Sequence, residues 1–125
     1  MTRRSLYERV GGMPFFQRLV ARFYAGVAGD PPLRALYPEE ELDGAQHRLT
    51  LFLAQYWGGP KTYQEERGHP RLRMRHVPFA IDTPQRDRWL LHMRAALAEM
   101  DIAPDDAQEL DRYFAFAAES MRNRP

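Results

Sequence analysis

Residues 68–79 read Gly68-His69-Pro70-Arg71-Leu72-Arg73-Met74-Arg75-His76-Val77-Pro78-Phe79. Pro78 ends any helix near His76, because proline has no N–H and disfavours α geometry in the residue before it. His76 therefore stands at the end of a very short helix, among cations and bulky apolar residues. An imidazole held there can serve as a single fixed axial ligand. A lone histidine is more often an ordinary surface or core residue, so this reading depends on what the rest of the chain places around it.

Outward from that segment, helical periodicity recurs and nothing alternates as a strand does. Ser5-x-x-Glu8 is a capping box opening a short helix that Gly11 and Gly12 stop. Pro14 suits the first turn of the next helix, whose apolar residues Phe16, Leu19, Val20, Phe23, Tyr24 and Val27 keep the spacing of one buried stripe. Asp30, Pro31 and Pro32 start a brief turn that Tyr37-Pro38 ends. A further helix is expected from about Asp43 to Trp57, with Ala45, Leu49, Phe52, Leu53 and Tyr56 inward, and Gly58-Gly59-Pro60 breaks it. Residues 61–70 read as a polar loop with room for one turn of order. Thr83 and Pro84 cap a long helix to about Met100, with Trp89, Leu90, Met93, Ala96, Leu97 and Met100 inward. Pro104, Asp105 and Asp106 open the last helix, where Leu110, Tyr113, Phe114, Ala117, Ala118 and Met121 repeat the stripe. The expected fold class is all-α, with four long amphipathic helices and several short ones.

Length and composition bound what such a chain can do. Its 125 residues make one domain, 1–125 with a core over about 6–122, large enough to enclose one cofactor. The absence of cysteine excludes a disulfide framework, thiolate catalysis and iron–sulfur ligation, and fits a reducing cytoplasm. The start of the chain has no apolar signal-peptide core, and no apolar run is long enough to span a bilayer. A net charge of +1 gives no case for a nucleic-acid or membrane partner. The basic stretch around His76 lacks exposed aromatics to stack bases, and its cations suit a cofactor's carboxylates better.

The core itself carries large aromatics with polar tips: Tyr24, Tyr37, Tyr56, Tyr113, Trp57 and Trp89. A buried phenol or indole needs a partner or costs about 1–3 kcal/mol. Tyr24, Tyr37 and Trp89 can converge on one cavity with His76, which points to a haem pocket. His47, His69 and His92 show no metal-ligand spacing with a carboxylate. A Ser-His-Asp set is as weak, since only Ser5 and Ser120 exist, both near chain ends.

With these residues in place, the chain resembles the truncated haemoglobins, specifically group II of the two-over-two globins of bacterial type. The resemblance runs from about Leu6 to Met121. It is carried by Gly11-Gly12, Arg22-Phe23-Tyr24, Leu36-Tyr37-Pro38, Tyr56-Trp57-Gly58-Gly59-Pro60, the stretch from Gly68 to His76, and Trp89 thirteen residues later. It implies a two-over-two helical sandwich around haem b, with His76 as the proximal iron ligand and the sixth position open. It also implies a distal set of Tyr24, Tyr37 and Trp89, with Tyr37 where most globins carry phenylalanine. Ala45 stands where many globins have a distal histidine, so polarity must come from the two tyrosines and the indole. Leu49 and Phe52 wall the implied pocket, Tyr63 contributes from the loop, and Met74 and Phe79 flank the ligand. Arg48 and Arg73 are the candidates to pair with the haem propionates.

Hydrogen-bond donors aimed at a bound diatomic retain it in a dry pocket, so three donors imply slow oxygen release. That suits nitric oxide dioxygenation or peroxidase-like turnover better than carriage. The implied ligands are oxygen, nitric oxide, carbon monoxide and peroxide, and turnover would require a separate reductase or small reductant, since the chain has no flavin or nicotinamide motif. The alternative is oxygen storage, transport or sensing without turnover, and a third class is a cofactor-free helical interaction module. Fold and pocket leave turnover open. The arginine-rich loop reads equally as a homodimer interface or a wet surface.

Overall fold

The computed structural model describes residues 4–76 and 79–124, leaving aside the side chains of Leu72 and Arg73. The described residues form eight helices and no strand: α1 (Leu6–Arg9), α2 (Met13–Ala28), α3 (Pro31–Arg34), α4 (Asp43–Tyr56), α5 (Thr62–Arg67), α6 (Leu72–His76), α7 (Thr83–Ala98) and α8 (Pro104–Met121). The fold is the two-over-two helical sandwich, with α2 packed on α4 and α7, and α7 packed on α8. None of the helices among the described residues is long and apolar enough to cross a membrane.

The elements follow from local chemistry. Ser5 Oγ accepts the Glu8 N–H at 3.2 Å, closing the N-terminus of α1. The stripe on α2 is buried throughout, with Phe15 added to the residues its periodicity singles out. At the end of α4, Gly58 takes φ +105°, and a side chain on Gly59 would collide with the Tyr7 ring at 2.6 Å. The glycine pair thus lets the chain turn and lie against α1, where the Tyr7 N–H donates to the Trp57 carbonyl at 3.0 Å.

The structure corrects two details and sharpens a third. The turn of order expected within residues 61–70 is the six-residue helix α5, which buries Tyr63, whose ring meets Phe52 at 5.6 Å. Tyr56, expected inward, is 53% exposed, because as the last residue of α4 it rests on Trp57 and Tyr113 from outside. The cap of α7 is Asp82 rather than Thr83, its carboxylate accepting the Gln85 N–H at 2.9 Å. α6 ends at His76, while Val77 and Pro78, read as its stop signal, lie outside the described residues.

One buried cluster ties α7 to the corner after α2. Asp30 is 8% exposed and meets Arg88 Nη1 at 2.9 Å and His92 Nε2 at 2.8 Å. Gly26 makes the approach of α2 and α7 feasible, since a Cβ there would lie 2.5 Å from His92 Nδ1. The His92 contact, and after it the Arg88 guanidinium, hold the Asp30 carboxyl below its ordinary 3.8 although desolvation pushes the other way. A carboxyl lowered by folding stabilises the protein above its unfolded value, and that contribution is lost as pH falls through the folded one. Thermal midpoints of the wild type and Asp30→Asn should therefore differ most near neutrality and converge as pH drops below 3.8. A gap that stays constant down to strong acid would contradict this role.

Candidate functional site

A cavity of about 550 Å³ opens between the two helix pairs. α2 supplies Tyr24; the corner after α3 supplies Tyr37, Pro38 and Glu39; α4 supplies Ala45, Arg48, Leu49, Phe52 and Leu53; and α5 supplies Tyr63. His76 and Phe79 border it from the segment at the end of α6, their rings 6.4 Å apart. Trp89 of α7 and Tyr113, Phe114 and Ala117 of α8 close the other side.

Of the residues singled out in the sequence, Tyr24, Tyr37, Trp89, Ala45, Arg48, Leu49, Phe52, Tyr63, Phe79 and His76 all border this one cavity. Met74 does not: it is 57% exposed, because α6 turns Arg75 and His76 toward the cavity and so directs Met74 to solvent. The Arg73 side chain lies outside the described residues. Arg67 and Arg75 of the basic stretch around His76 also border the cavity, while Arg86 and Gln85 do so without any local signal in the sequence.

The polar end of the cavity is built on aromatic packing. Phe23 has no exposure and supports both Tyr24 (ring centroids 4.9 Å apart) and Trp89 (5.1 Å). Tyr24 and Tyr37 meet edge-on at 5.6 Å. Arg34 fixes the corner that carries Tyr37, donating to the carbonyl oxygens of Tyr37 at 3.0 Å, Glu39 at 2.7 Å and Glu40 at 2.8 Å. Trp89 borders the same part of the cavity as this tyrosine pair. Burial pushes the ionisation of both phenols upward, and for Tyr24 the neighbouring Tyr37 adds to it, so both remain neutral hydroxyls.

At the rim, Arg48 pairs with Glu39, and Arg86 pairs with Glu119. The Glu39 carboxyl is held below its ordinary value by its own backbone N–H and by Arg48. Arg75 instead turns inward on the chain, donating to the carbonyl oxygens of Pro70 at 2.7 Å and Arg67 at 3.0 Å. Gln85 donates through Nε2 to the Pro32 carbonyl at 3.2 Å, which leaves its buried Oε1 without a partner beside the cavity.

These residues fit a haem. The cavity lies in the range of pockets that enclose small organic ligands, about 300–1,000 Å³, and its walls are aromatic and aliphatic. One imidazole borders it, and four arginines among its lining residues are cations that a porphyrin's two carboxylates could meet. The orphaned Gln85 oxygen marks a polar position that the protein alone leaves unsatisfied. No group of three or more His, Cys, Asp or Glu among the described residues could hold a bare metal ion.

The comparisons with known proteins agree. The bacterial-like globin family matches residues 5–123. The group 2 truncated haemoglobin YjbI of Bacillus subtilis is 36% identical over 118 residues, covering 94% of this chain and 88% of that protein. Among solved structures, the thermostable haemoglobin from the actinobacterium Thermobifida fusca is 56% identical with a TM-score of 0.94, covering 96% of this chain and 98% of that one. The group II truncated haemoglobin from Bacillus anthracis is 33% identical, also with a TM-score of 0.94, covering all of this chain and 95% of its own. This chain belongs to the bacterial-like globins, and within them to the group II truncated haemoglobins. Membership carries a haem cofactor, its iron, and the binding of diatomic gases such as oxygen.

Proposed function

We propose that the protein binds haem b through His76 and uses a Tyr37, Trp89 and Tyr24 donor set to retain dioxygen for reaction with nitric oxide, or to hold peroxide in its place for peroxidase-like turnover. When bound, the haem supplies an iron centre that takes up oxygen, nitric oxide or carbon monoxide and exchanges electrons with them. The observation that carries the reading is the grouping of the three polar aromatics, around Phe23, on the wall of the cavity that His76 also borders.

A phenol has one proton to donate and two lone pairs to accept. Tyr37 lies against Tyr24 and lines the cavity with Trp89, so its proton is offered to a ligand there. Tyr24 acts one step back, orienting Tyr37, and Trp89 offers its N–H either to Tyr37 or to the ligand. Ala45 and Leu49 leave this end without a competing imidazole and exclude water. Arg48 and Arg73 serve the propionates, with Glu39 keeping Arg48 at the rim.

Retention of this kind favours turnover over carriage. Nitric oxide and dioxygen combine to nitrate when one electron is supplied, and that electron comes from a separate reductase or small reductant.

The test is oxygen dissociation measured on the wild type beside Trp89→Phe and Tyr37→Phe. A hydrogen bond to a group bearing negative charge contributes about 1.5–3 kcal/mol, so losing one should speed release by about tenfold to a hundredfold, with the larger effect at Tyr37. Rates unchanged in both variants would defeat the donor assignment. Mixing the oxygen-equilibrated protein with nitric oxide should yield nitrate, and fast release with no nitrate would favour storage or sensing instead.

A further inference from the structure

The segment bearing His76 is tied down at both ends, and the second tie comes from the far end of the chain. On the near side, Arg75 gathers the carbonyl oxygens of Pro70, Arg67 and His69, at 2.7, 3.0 and 3.4 Å. On the far side stands Asn123, two residues past α8. Its Nδ2 donates to the carbonyl oxygens of Phe79 at 2.9 Å and of His76 at 3.3 Å. Its Oδ1 accepts the Ile81 N–H at 2.9 Å. The backbone N–H groups of Asn123 and Arg124 donate to the Ile81 carbonyl at 2.9 and 3.0 Å.

The chemistry of these partners fixes the amide's orientation. Two partners are carbonyls and one is an N–H, so exchanging the amide nitrogen and oxygen would set like against like. The need is equally clear. A five-residue helix such as α6 cannot hold its shape alone, and its last carbonyls have no partner within the helix. The His76 carbonyl is one of these, and Asn123 and the Phe79 N–H, at 3.0 Å, both bond to it. The tail carrying Asn123 has its own anchorage: Glu119 joins Arg122 at 2.9 Å and also pairs with Arg86 of α7, and these two cations pull its carboxyl down to about 2.

We infer that Asn123 is a positioning residue for the proximal imidazole. By holding the main-chain carbonyl of His76 and the chain out to Ile81, it fixes the direction of the His76 Cα–Cβ bond. That direction sets the angle at which the imidazole meets a bound iron. The C-terminal tail is thereby part of the proximal side of the site, although it follows His76 by 47 residues. This inference rests on the reading of His76 as the axial ligand and extends it.

Two variants separate the contributions. Asn123→Asp keeps an oxygen for the Ile81 N–H but loses both donors, and Asn123→Ala loses every side-chain bond. Asn123 is exposed, so neither change disturbs the core. Each haem-reconstituted variant is compared with the wild type by resonance Raman, reading the iron–imidazole stretch of the ferrous protein and the C–O stretch of its carbon monoxide complex. Thermal midpoints are recorded alongside. The iron–imidazole band should shift or broaden in both variants while the C–O stretch, which reports on the opposite side, stays in place. An iron–imidazole band unmoved in both variants would overturn the inference, whether or not the midpoint falls, and so would a band that moves only together with the C–O stretch. Failure of the axial reading looks different: the wild type would then show no iron–imidazole band, or His76→Ala would retain it.

Discussion

Phe23→Ala should cost about 3–5 kcal/mol of folding stability, the usual penalty for emptying a fully buried aromatic site. Phe23 has no exposure, sits on the inner face of α2, and lies in ring contact with Tyr24 and Trp89. Its loss removes apolar burial and also leaves a void that rigid neighbours fill only in part. The same ring supports two of the three polar aromatics of the cavity, so the damage extends beyond the core. Urea titration should give the full loss for alanine and roughly 1.5 kcal/mol or less for Phe23→Leu, which nearly conserves volume. Alanine costing less than about 1 kcal/mol would mean that the region repacks freely, which is incompatible with a fixed distal geometry.

Much of this arrangement was legible in the sequence because it is written in local periodicity. The α2 stripe repeats at helical spacing and is buried throughout, the Ser5 cap forms as read, and of the row expected on α8 the structure buries Leu110, Phe114 and Ala118 and leaves Tyr113, Ala117 and Met121 half-buried. The cavity wall was legible for a related reason. Tyr24, Tyr37 and Trp89 are bulky groups with polar ends on elements that had to face a common interior, and the family resemblance gave their relation to His76.

What escaped the sequence is what depends on distant partners. The Asp30–His92 contact spans 62 positions, and Asn123 reaches His76 across 47. Nothing in the residues beside His92 or Asn123 announces either partner. Tyr56 has the spacing of an inward residue, yet α4 ends there and its ring is left on the outer side of Trp57 and Tyr113. Met74 misled in the same way, because a five-residue helix shows too little periodicity to reveal which side faces the cavity. The extent of α5 is not readable from its run, Thr62-Tyr63-Gln64-Glu65-Glu66-Arg67, which offers one apolar residue and no stripe, so the sequence suggests no more than a turn there. Its order comes from tertiary contacts such as the Gln64 N–H donating to Gln55 Oε1 at 3.0 Å.

The second large effect is expected at His76. It borders the cavity from a segment held by Arg75 and Asn123, and no other histidine does so: His47 pairs with Glu66 at the surface, His69 accepts the Arg71 N–H, and His92 is engaged by Asp30. With the imidazole gone, the walls would still offer apolar contact, but nothing would fix the metal's position or spin state. The most direct measurement is therefore a haem titration of the apoprotein, wild type beside His76→Gly, followed by absorption spectroscopy with and without added free imidazole. The wild type should bind one haem with a sharp Soret band, the glycine variant should bind weakly with an altered spectrum, and imidazole diffusing into the vacated space should restore much of the wild-type band. A His76→Gly protein that takes up haem as tightly as the wild type, with the same spectrum before any imidazole is added, would contradict the account.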